Sequence, residues 1–250
     1  KDGEVMSKSK GNTIAPDDVI ARYGADTLRL YILFAGPPEL AMEWSETGIE
    51  GPHRFLQRVF RLVDRHACAF AREPRDPLPA ELPATARDLR RKVHQTIDKV
   101  TRDVEDRIQL NTAVAALMEL VNEVYRLEAD VQSGPGRPAL REALETLVLL
   151  LNPFTPHVCE EMWARLGHEG SLVRAAWPVL DPQAAREDAV ELAVQVNGKV
   201  RGRVVVPREA KEDEIREKAL AEPRVAEHVQ GRQMLKFVVV PGRLVSVVVR

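Results

Sequence analysis

Apolar residues recur at three- and four-residue spacing through most of this chain and then, over roughly the last 60 residues, at every second position. The first period buries one stripe of a helix and the second one face of a strand, so the chain must divide into a helical part and a smaller part that contains strands. The helical stripes are Phe55, Val59, Leu62, Val63, His66 and Phe70, then Leu89, Val93, Ile97, Val100 and Val104. A third runs through Val114, Leu117, Met118, Val121 and Tyr125, with Asn111 placed as its N-cap. Gly134-Pro135-Gly136 makes a turn, Pro138 suits a first helical position, and Leu140, Leu144, Leu147, Val148 and Leu151 form the next stripe. Thr155-Pro156 opens a short helix that Gly167 can close. Short connections between such helices predict an antiparallel bundle from about Gly48 to Gly167.

Beyond a proline-bearing connection from Trp177 to Arg186, Leu192, Val194 and Val196 lead into Asn197-Gly198 and then Val200, Val204 and Val206. Asn-Gly between alternating apolar runs predicts a hairpin with a type I′ turn. Glu209 to Glu222 reads as one helix, and Leu235 to Val240, Pro241-Gly242 and Leu244 to Val249 as a second hairpin. At the other end Lys1 to Asn12 is a polar loop; Pro16-Asp17-Asp18 starts a helix, and two helical elements fit before Gly36-Pro37-Pro38. The expected architecture is mainly α, with an antiparallel helical bundle and a small C-terminal α+β domain. Its boundaries are set at 1–47, 48–176, a linker at 177–190, and 191–250.

Composition narrows the function classes. The longest apolar runs, Ala113 to Met118 and Leu147 to Leu151, fall far short of the ~20 residues that span a bilayer, so no membrane segment is expected. Cys68 and Cys159 are the two cysteines and form no Cys-x-x-Cys pair, which favours a reducing, cytoplasmic setting. His157, Cys159, Glu160 and Glu161 supply too few soft ligands for a tetrahedral metal site, and none is expected. With a net charge of −2, nucleic-acid contact must come from local clusters of Lys and Arg. The charged opening residues, without an initiating methionine, lead to the expectation that the chain starts inside a longer protein.

Two clusters have the chemistry to bind phosphate. Val5-Met6-Ser7-Lys8-Ser9-Lys10-Gly11-Asn12, with Gly3 just before, packs two lysines and two hydroxyls between glycines, donors that can wrap phosphate oxygens. The same composition also describes a solvated chain end, and alone it leaves both readings open. Lys199, Arg201 and Arg203 alternate after the Asn-Gly turn, which would set them on a common strand face, with Lys236, Arg243 and Arg250 as additions. A solvated outer face is the plain alternative.

The order of motifs goes further. VMSKSKGN at Val5 to Asn12 and RYGADTLRLYILF at Arg22 to Phe34 resemble the class I aminoacyl-tRNA synthetases, whose loop ends in Met-Ser-Lys-Ser. Within them the chain is most similar to the bacterial-type leucyl-tRNA synthetase family. That similarity rests on GPPE at Gly36 to Glu39, EWSETGIEGPHRFLQRV at Glu43 to Val59 and LNTAVAALMELVN at Leu110 to Asn122. It extends through LNPFTPHVCEEMW at Leu151 to Trp163, VQVNGKVRGRVVVP at Val194 to Pro207 and VVVPGRLVSVVV at Val238 to Val249.

The resemblance implies ATP-dependent attachment of leucine to its tRNA through leucyl-adenylate, with Lys8 as the catalytic lysine and Met6, Ser7, Lys8, Ser9 and Lys10 against ATP. It also implies magnesium with the ATP, an anticodon-binding bundle, and tRNA contacts from Lys199, Arg201, Arg203, Lys236 and Arg243. A cytoplasmic monomer is expected. Val5 departs from the family's first lysine. The His-x-Gly-His turn and the inserted editing domain are missing, so the leucine pocket lies outside this chain and the chain by itself should be inactive. A non-catalytic tRNA-binding module, or a valine-, isoleucine- or methionine-type enzyme of the same class, is the alternative.

Overall fold

In the computed structural model, described here for all residues except 2, 38, 187, 188, 209, 241 and 242 and the side chain of 189, Pro16 opens the first helix. Its ring presets φ, and Asp17 and Asp18 complement the positive end of the helix dipole. This helix, α1, spans Pro16–Tyr23; after Gly24 the chain turns into α2, Ala25–Phe34. Both expected N-terminal elements are therefore present. Helix α2 presents two apolar faces: Leu30 enters the main core, while Tyr31 joins Val19 and Ile49 in a small separate core.

Five further helices follow: α3 (Glu50–Arg72), α4 (Ala84–Glu105), α5 (Leu110–Val131), α6 (Arg137–Leu151) and α7 (Pro156–Arg165). Their apolar stripes supply one continuous core that includes Val59, Leu89, Leu117, Leu144 and Phe154. Lys92 bonds Glu119 at 2.7 Å, and Asp103 near the end of α4 meets Thr112 near the start of α5, so these helices run antiparallel. Between α3 and α5 the links Arg58–Asn122 (3.0 Å) and Arg65–Glu128 (2.6 Å) advance together, as parallel neighbours require. Asn111 is not the expected N-cap. It lies inside α5, where its Oδ1 is buried without a hydrogen-bond partner. The N-cap is Gln109, two residues earlier, and Thr112 Oγ1 closes the first turn on its carbonyl at 2.9 Å.

The first part of the expected linker is held in place. Trp177 and Leu180 pack on the main core, Trp177 Nε1 donates to Thr101 Oγ1 at 2.8 Å, and Arg90 joins Glu142 to Asp181. The chain accordingly divides into compact units at Lys1–Ala185 and Arg186–Arg250.

The second unit contains β1 (Ala189–Val196), β2 (Lys199–Pro207), α8 (Glu212–Ala221), α9 (Pro223–Val229), β3 (Met234–Val240) and β4 (Leu244–Val249). The sheet order is β2-β1-β4-β3, with antiparallel outer pairs and a parallel central pair. Asn197 and Gly198 both have positive φ, 50° and 79°, which a type I′ turn requires. Asn197 also exchanges two side-chain bonds with the backbone of Val249, at 3.0 and 3.1 Å, so the first turn is fastened to β4. Ile215, Ala219 and Val225 of α8 and α9 cover one face of the sheet over Leu192, Val194 and Val247.

The helix expected over Glu209 to Glu222 is α8, and a second helix that was not expected, α9, follows it. Glu222 is extended, Pro223 brings no N–H to continue the ladder, and the Glu222 carboxylate instead caps Val225 N–H at 2.7 Å to start α9. Pro38 of the expected helix break, Glu209 at the expected helix start and the Pro241-Gly242 turn lie outside the described residues. No described helix is long and apolar enough to cross a membrane.

Candidate functional site

The loop from Val5 to Asn12 is closed by its own polar groups. Ser7 N–H donates to Asn12 Oδ1 at 2.8 Å and Asn12 Nδ2 donates to the Val5 carbonyl at 3.3 Å, so the asparagine side chain ties the two ends. Inside, Lys8–Lys10 form one tight helical turn. Ser7 caps it by accepting from Lys10 N–H at 3.3 Å, and Gly11, at φ 65°, leaves it in the left-handed conformation. Ser7 Oγ and Ser9 Oγ stand 3.2 Å apart.

The two lysines have different surroundings. Lys10 Nζ is 3.1 Å from Glu4 Oε2, whereas Lys8 is exposed and has no ion pair among the described residues. Met6 is half-buried, and Val5 is 83% exposed where the family pattern has a lysine. Gly3 N–H donates to Glu43 at 3.2 Å and Lys1 pairs with Glu46 at 3.4 Å, which anchors the loop's leading edge to the segment that carries Trp44.

From the loop, α1 and α2 lead to the bundle. Asp26, at the first turn of α2, takes Val158 N–H at 2.6 Å and His157 Nδ1 at 2.9 Å, filling the N-terminal end of α7. One turn on, Arg29 donates to the carbonyls of Pro153 and Phe154 at 3.1 and 3.3 Å. An acid and a base on α2 thus hold both sides of the α6–α7 corner. Beside them Tyr23, His53, Gln57, Arg61 and His157 line a cleft of about 630 Å³. Thr27 and Gln57 bond the two ring nitrogens of His53 at 3.3 and 2.9 Å.

The other residues of the weighed metal group have separate employments. Cys159 is buried, and burial pushes its thiol up to about 12. Hydrogen bonds from the Ser171 hydroxyl and the Leu172 N–H hold the Glu160 carboxyl below the usual range, and Glu161 pairs with Arg165 at 2.7 Å.

The C-terminal cations are not arranged as alternation predicts. The β1–β2 register shifts between Val194 and Gln195, so Arg201 is an extra residue in β2. Lys199 pairs with Val196, which belongs to the helix-covered face, while Arg203 pairs with Ala193 on the other face. The bulge therefore separates two residues that a regular strand would have put together. Arg203 bonds Glu191 at 2.9 Å. Lys236 pairs with Val248 on the open face, but β3 is the opposite edge of the sheet, roughly 14 Å from β2 at the usual strand spacing. Arg243 is exposed just before β4.

Three features escaped the sequence reading: the Asp26–Arg29 clamp, the cleft beside it, and a row of arginines on the outer face of α3. The first two depend on contacts more than 100 residues apart, such as Arg29 with Phe154, and no local pattern announces them. The third was available from helical spacing, since Arg54, Arg58, Arg61 and Arg65 recur at three- and four-residue intervals beside the apolar stripe.

Comparison with known proteins gives two family matches. Residues 1–45 match the model for tRNA synthetases class I (I, L, M and V), and residues 86–216, over half the chain, match the anticodon-binding domain of tRNA ligase. Across all 250 residues the chain is 51% identical to leucine–tRNA ligase of Thioalkalivibrio sulfidiphilus and 48% identical to that of Halorhodospira halophila, covering 30% of each. The crystal structure of Agrobacterium radiobacter LeuRS in a ternary complex with tRNA and LeuAMS matches with a TM-score of 0.85 at 29% identity, over 100% of this chain and 31% of that one. The chain spans about 30% of the length of the curated relatives it matches.

Proposed function

We propose that this chain, which belongs to the family of anticodon-binding domains of tRNA ligases, is the C-terminal part of a leucine–tRNA ligase and supplies its mobile ATP loop and tRNA-binding surfaces. The observation that carries the reading is the loop geometry: Lys10 is neutralised by Glu4, while Lys8 and Ser9 are exposed on a turn whose ends Asn12 ties. In the first step the leucine carboxylate attacks the α-phosphorus of ATP, the bond to the bridging oxygen breaks, and pyrophosphate leaves. Negative charge grows on that oxygen. An ammonium free of other partners stabilises it more in the transition state than in bound ATP, which raises the rate.

Lys8 is that ammonium in our reading, with Ser7 and Ser9 as hydroxyl donors. Met6, half-buried in the loop, remains a candidate ATP contact. Lys10, held by Glu4, sets loop shape and long-range charge. The magnesium expected with ATP does not fit the loop itself, because its nearby carboxylate, Glu4, is taken by Lys10. Any such ion would travel with the triphosphate.

The adenylate then passes leucine to the terminal ribose of the tRNA. We assign tRNA to the helical bundle and to the second unit, where Lys199, Arg201, Arg203, Lys236 and Arg243 remain candidate contacts, now as separate points rather than one face. Residues 1–47 would belong to an incomplete nucleotide-binding domain whose leucine pocket lies elsewhere in the parent protein. A cytoplasmic monomer is part of the same proposal.

The test is Lys8→Ala in the complete enzyme, which should slow ATP–pyrophosphate exchange by roughly a hundredfold, the scale of losing one transition-state donor. Lys10→Ala should slow it far less. Exchange at the unaltered rate in Lys8→Ala would remove this lysine from the chemistry.

A further inference from the structure

No residue of the turn Lys8–Lys10 is buried, so no apolar core holds it. Its two backbone bonds, Lys10 N–H to the Ser7 carbonyl and Gly11 N–H to the Lys8 carbonyl, both 3.2 Å, close within the turn itself. The Lys10–Glu4 pair is exposed on both sides, and such pairs contribute little. The group that fixes the turn to the chain before and after it is the side chain of Asn12.

Ser7 is extended, at φ −151° and ψ 150°, and in extended backbone the carbonyl of one residue and the N–H of the next but one face the same side. Asn12 engages such a pair. Its Oδ1 accepts from Ser7 N–H at 2.8 Å and its Nδ2 donates to the Val5 carbonyl at 3.3 Å. A side-chain amide carries a donor and an acceptor together and so takes the place of a neighbouring strand; an ionised Asp would lack the donor, and Ala would lack both. Asn12 is half-buried, and two residues further on Ile14 packs against the small core of Val19, Tyr31 and Ile49. The amide thereby refers Ser7, and with it the next residue, Lys8, to the packed part of the N-terminal helices.

Lys8 is exposed and has no ion pair among the described residues, so its placement comes from the backbone that carries it. An ammonium that lowers a barrier must stand in a productive arrangement as the charge develops. We propose that Asn12 is a positioning residue for adenylate formation: its amide splints the loop so that Lys8 meets the triphosphate in a single arrangement. The inference rests on the reading of this segment as the ATP loop and gives Asn12 a role exercised through Lys8.

The experiment measures ATP–pyrophosphate exchange in the complete enzyme for the unaltered protein, Asn12→Ala, Lys8→Ala and the double variant. Two neutral hydrogen bonds hold the loop, so releasing them should lower the population of the productive arrangement, and kcat with it, by roughly tenfold. KM for ATP should move by less than about twofold, because the arrangement serves the transition state more than bound ATP. In the Lys8→Ala background the same substitution should lower kcat by less than about twofold further, since no ammonium is left to place. Asn12→Gln, with the same donor and acceptor on a longer arm, should recover part of the lost rate. The urea midpoint of Asn12→Ala should match that of the unaltered protein, because the substitution removes nothing from the packed cores.

An unchanged kcat in Asn12→Ala overturns the inference. So does a loss that persists at full size in the Lys8→Ala background, and a lowered urea midpoint beside such a loss would assign Asn12 to stability alone. These results leave the ligase reading standing as long as Lys8→Ala by itself slows exchange. Exchange at the unaltered rate in Lys8→Ala overturns the ATP-loop reading, and the splint with it.

Discussion

Asp26 offers a direct measure of how firmly the loop-bearing helices are joined to the bundle. Its carboxylate accepts from Val158 N–H at 2.6 Å and from His157 Nδ1 at 2.9 Å, and its side chain is 11% exposed. Asp26→Ala leaves the first turn of α7 without its acceptor, a loss of about 1 kcal/mol for a helix cap. It also removes a negative charge from the positive end of the helix dipole, about 0.5 to 1 kcal/mol more in a partly buried setting. The sum is about 2 kcal/mol. Asp26→Asn keeps an oxygen for Val158 and loses only the charge, so about 0.5 to 1 kcal/mol is expected. His157→Ala removes a partner whose side chain is 75% exposed and should cost less than about 0.5 kcal/mol. Urea unfolding followed by the fluorescence of Trp163 on α7 reads all three. If Asp26→Asn destabilised as much as Asp26→Ala, or if His157→Ala carried the larger effect, the capping account would be wrong and the ion pair would be the bond that matters.

Two further outcomes follow from local geometry. Gly167 has φ +86°, and a Cβ there would meet the Ala71 Cα at 2.7 Å, whereas Gly170 has φ +83° and open space. Gly170→Ala should therefore cost about 1 to 2 kcal/mol for left-handed backbone alone, and Gly167→Ala roughly 1 to 3 kcal/mol beyond that. Equal midpoints in urea would contradict it. Burial would raise the Asp103 carboxyl, but hydrogen bonds from Lys99 and Thr112 and the charges of Lys99 and Arg107 outweigh it and hold the group below the usual carboxylate range. A lowered folded-state value contributes stability that is present above the unfolded-state value and lost as pH falls through the folded one. Thr112→Val removes one of those donors, so its acid unfolding should begin at higher pH than in the unaltered protein, and an identical acid transition would refute it.

Sequence legibility followed the range of the interaction. Asn197-Gly198 states its turn in two residues, and the stripe through Val59, Leu62 and Val63 states its helix in a few turns, because both are fixed by neighbours along the chain. A helix ending at Glu222 was legible, but not the second helix that Pro223 opens, since that depends on Glu222 turning back to cap Val225. The bulge at Arg201 cannot be seen in β2 alone: register is a property of the pair, and the shift is visible only against Val194 and Gln195. At the candidate site the residues of the loop were legible as a motif. Which lysine is free was not, because that is decided by where the Glu4 side chain lands. Asp26 stood in the quoted Tyr-Gly-Ala-Asp run, yet its employment at Val158 is set by a fold that brings together positions 132 residues apart.

Helix α2 is shared property. Leu30 sits in one hydrophobic cluster and its neighbour Tyr31 in another, and the Tyr31 hydroxyl both accepts from Ser45 N–H at 2.9 Å and donates to the Ser45 carbonyl at 3.3 Å. Neither cluster can melt without unseating this helix, so the two should lose their structure in one cooperative event. The loop ahead of Pro16 is thus carried on a stiff mount, and a change in its shape must come from its own backbone, at positions such as the left-handed Gly11.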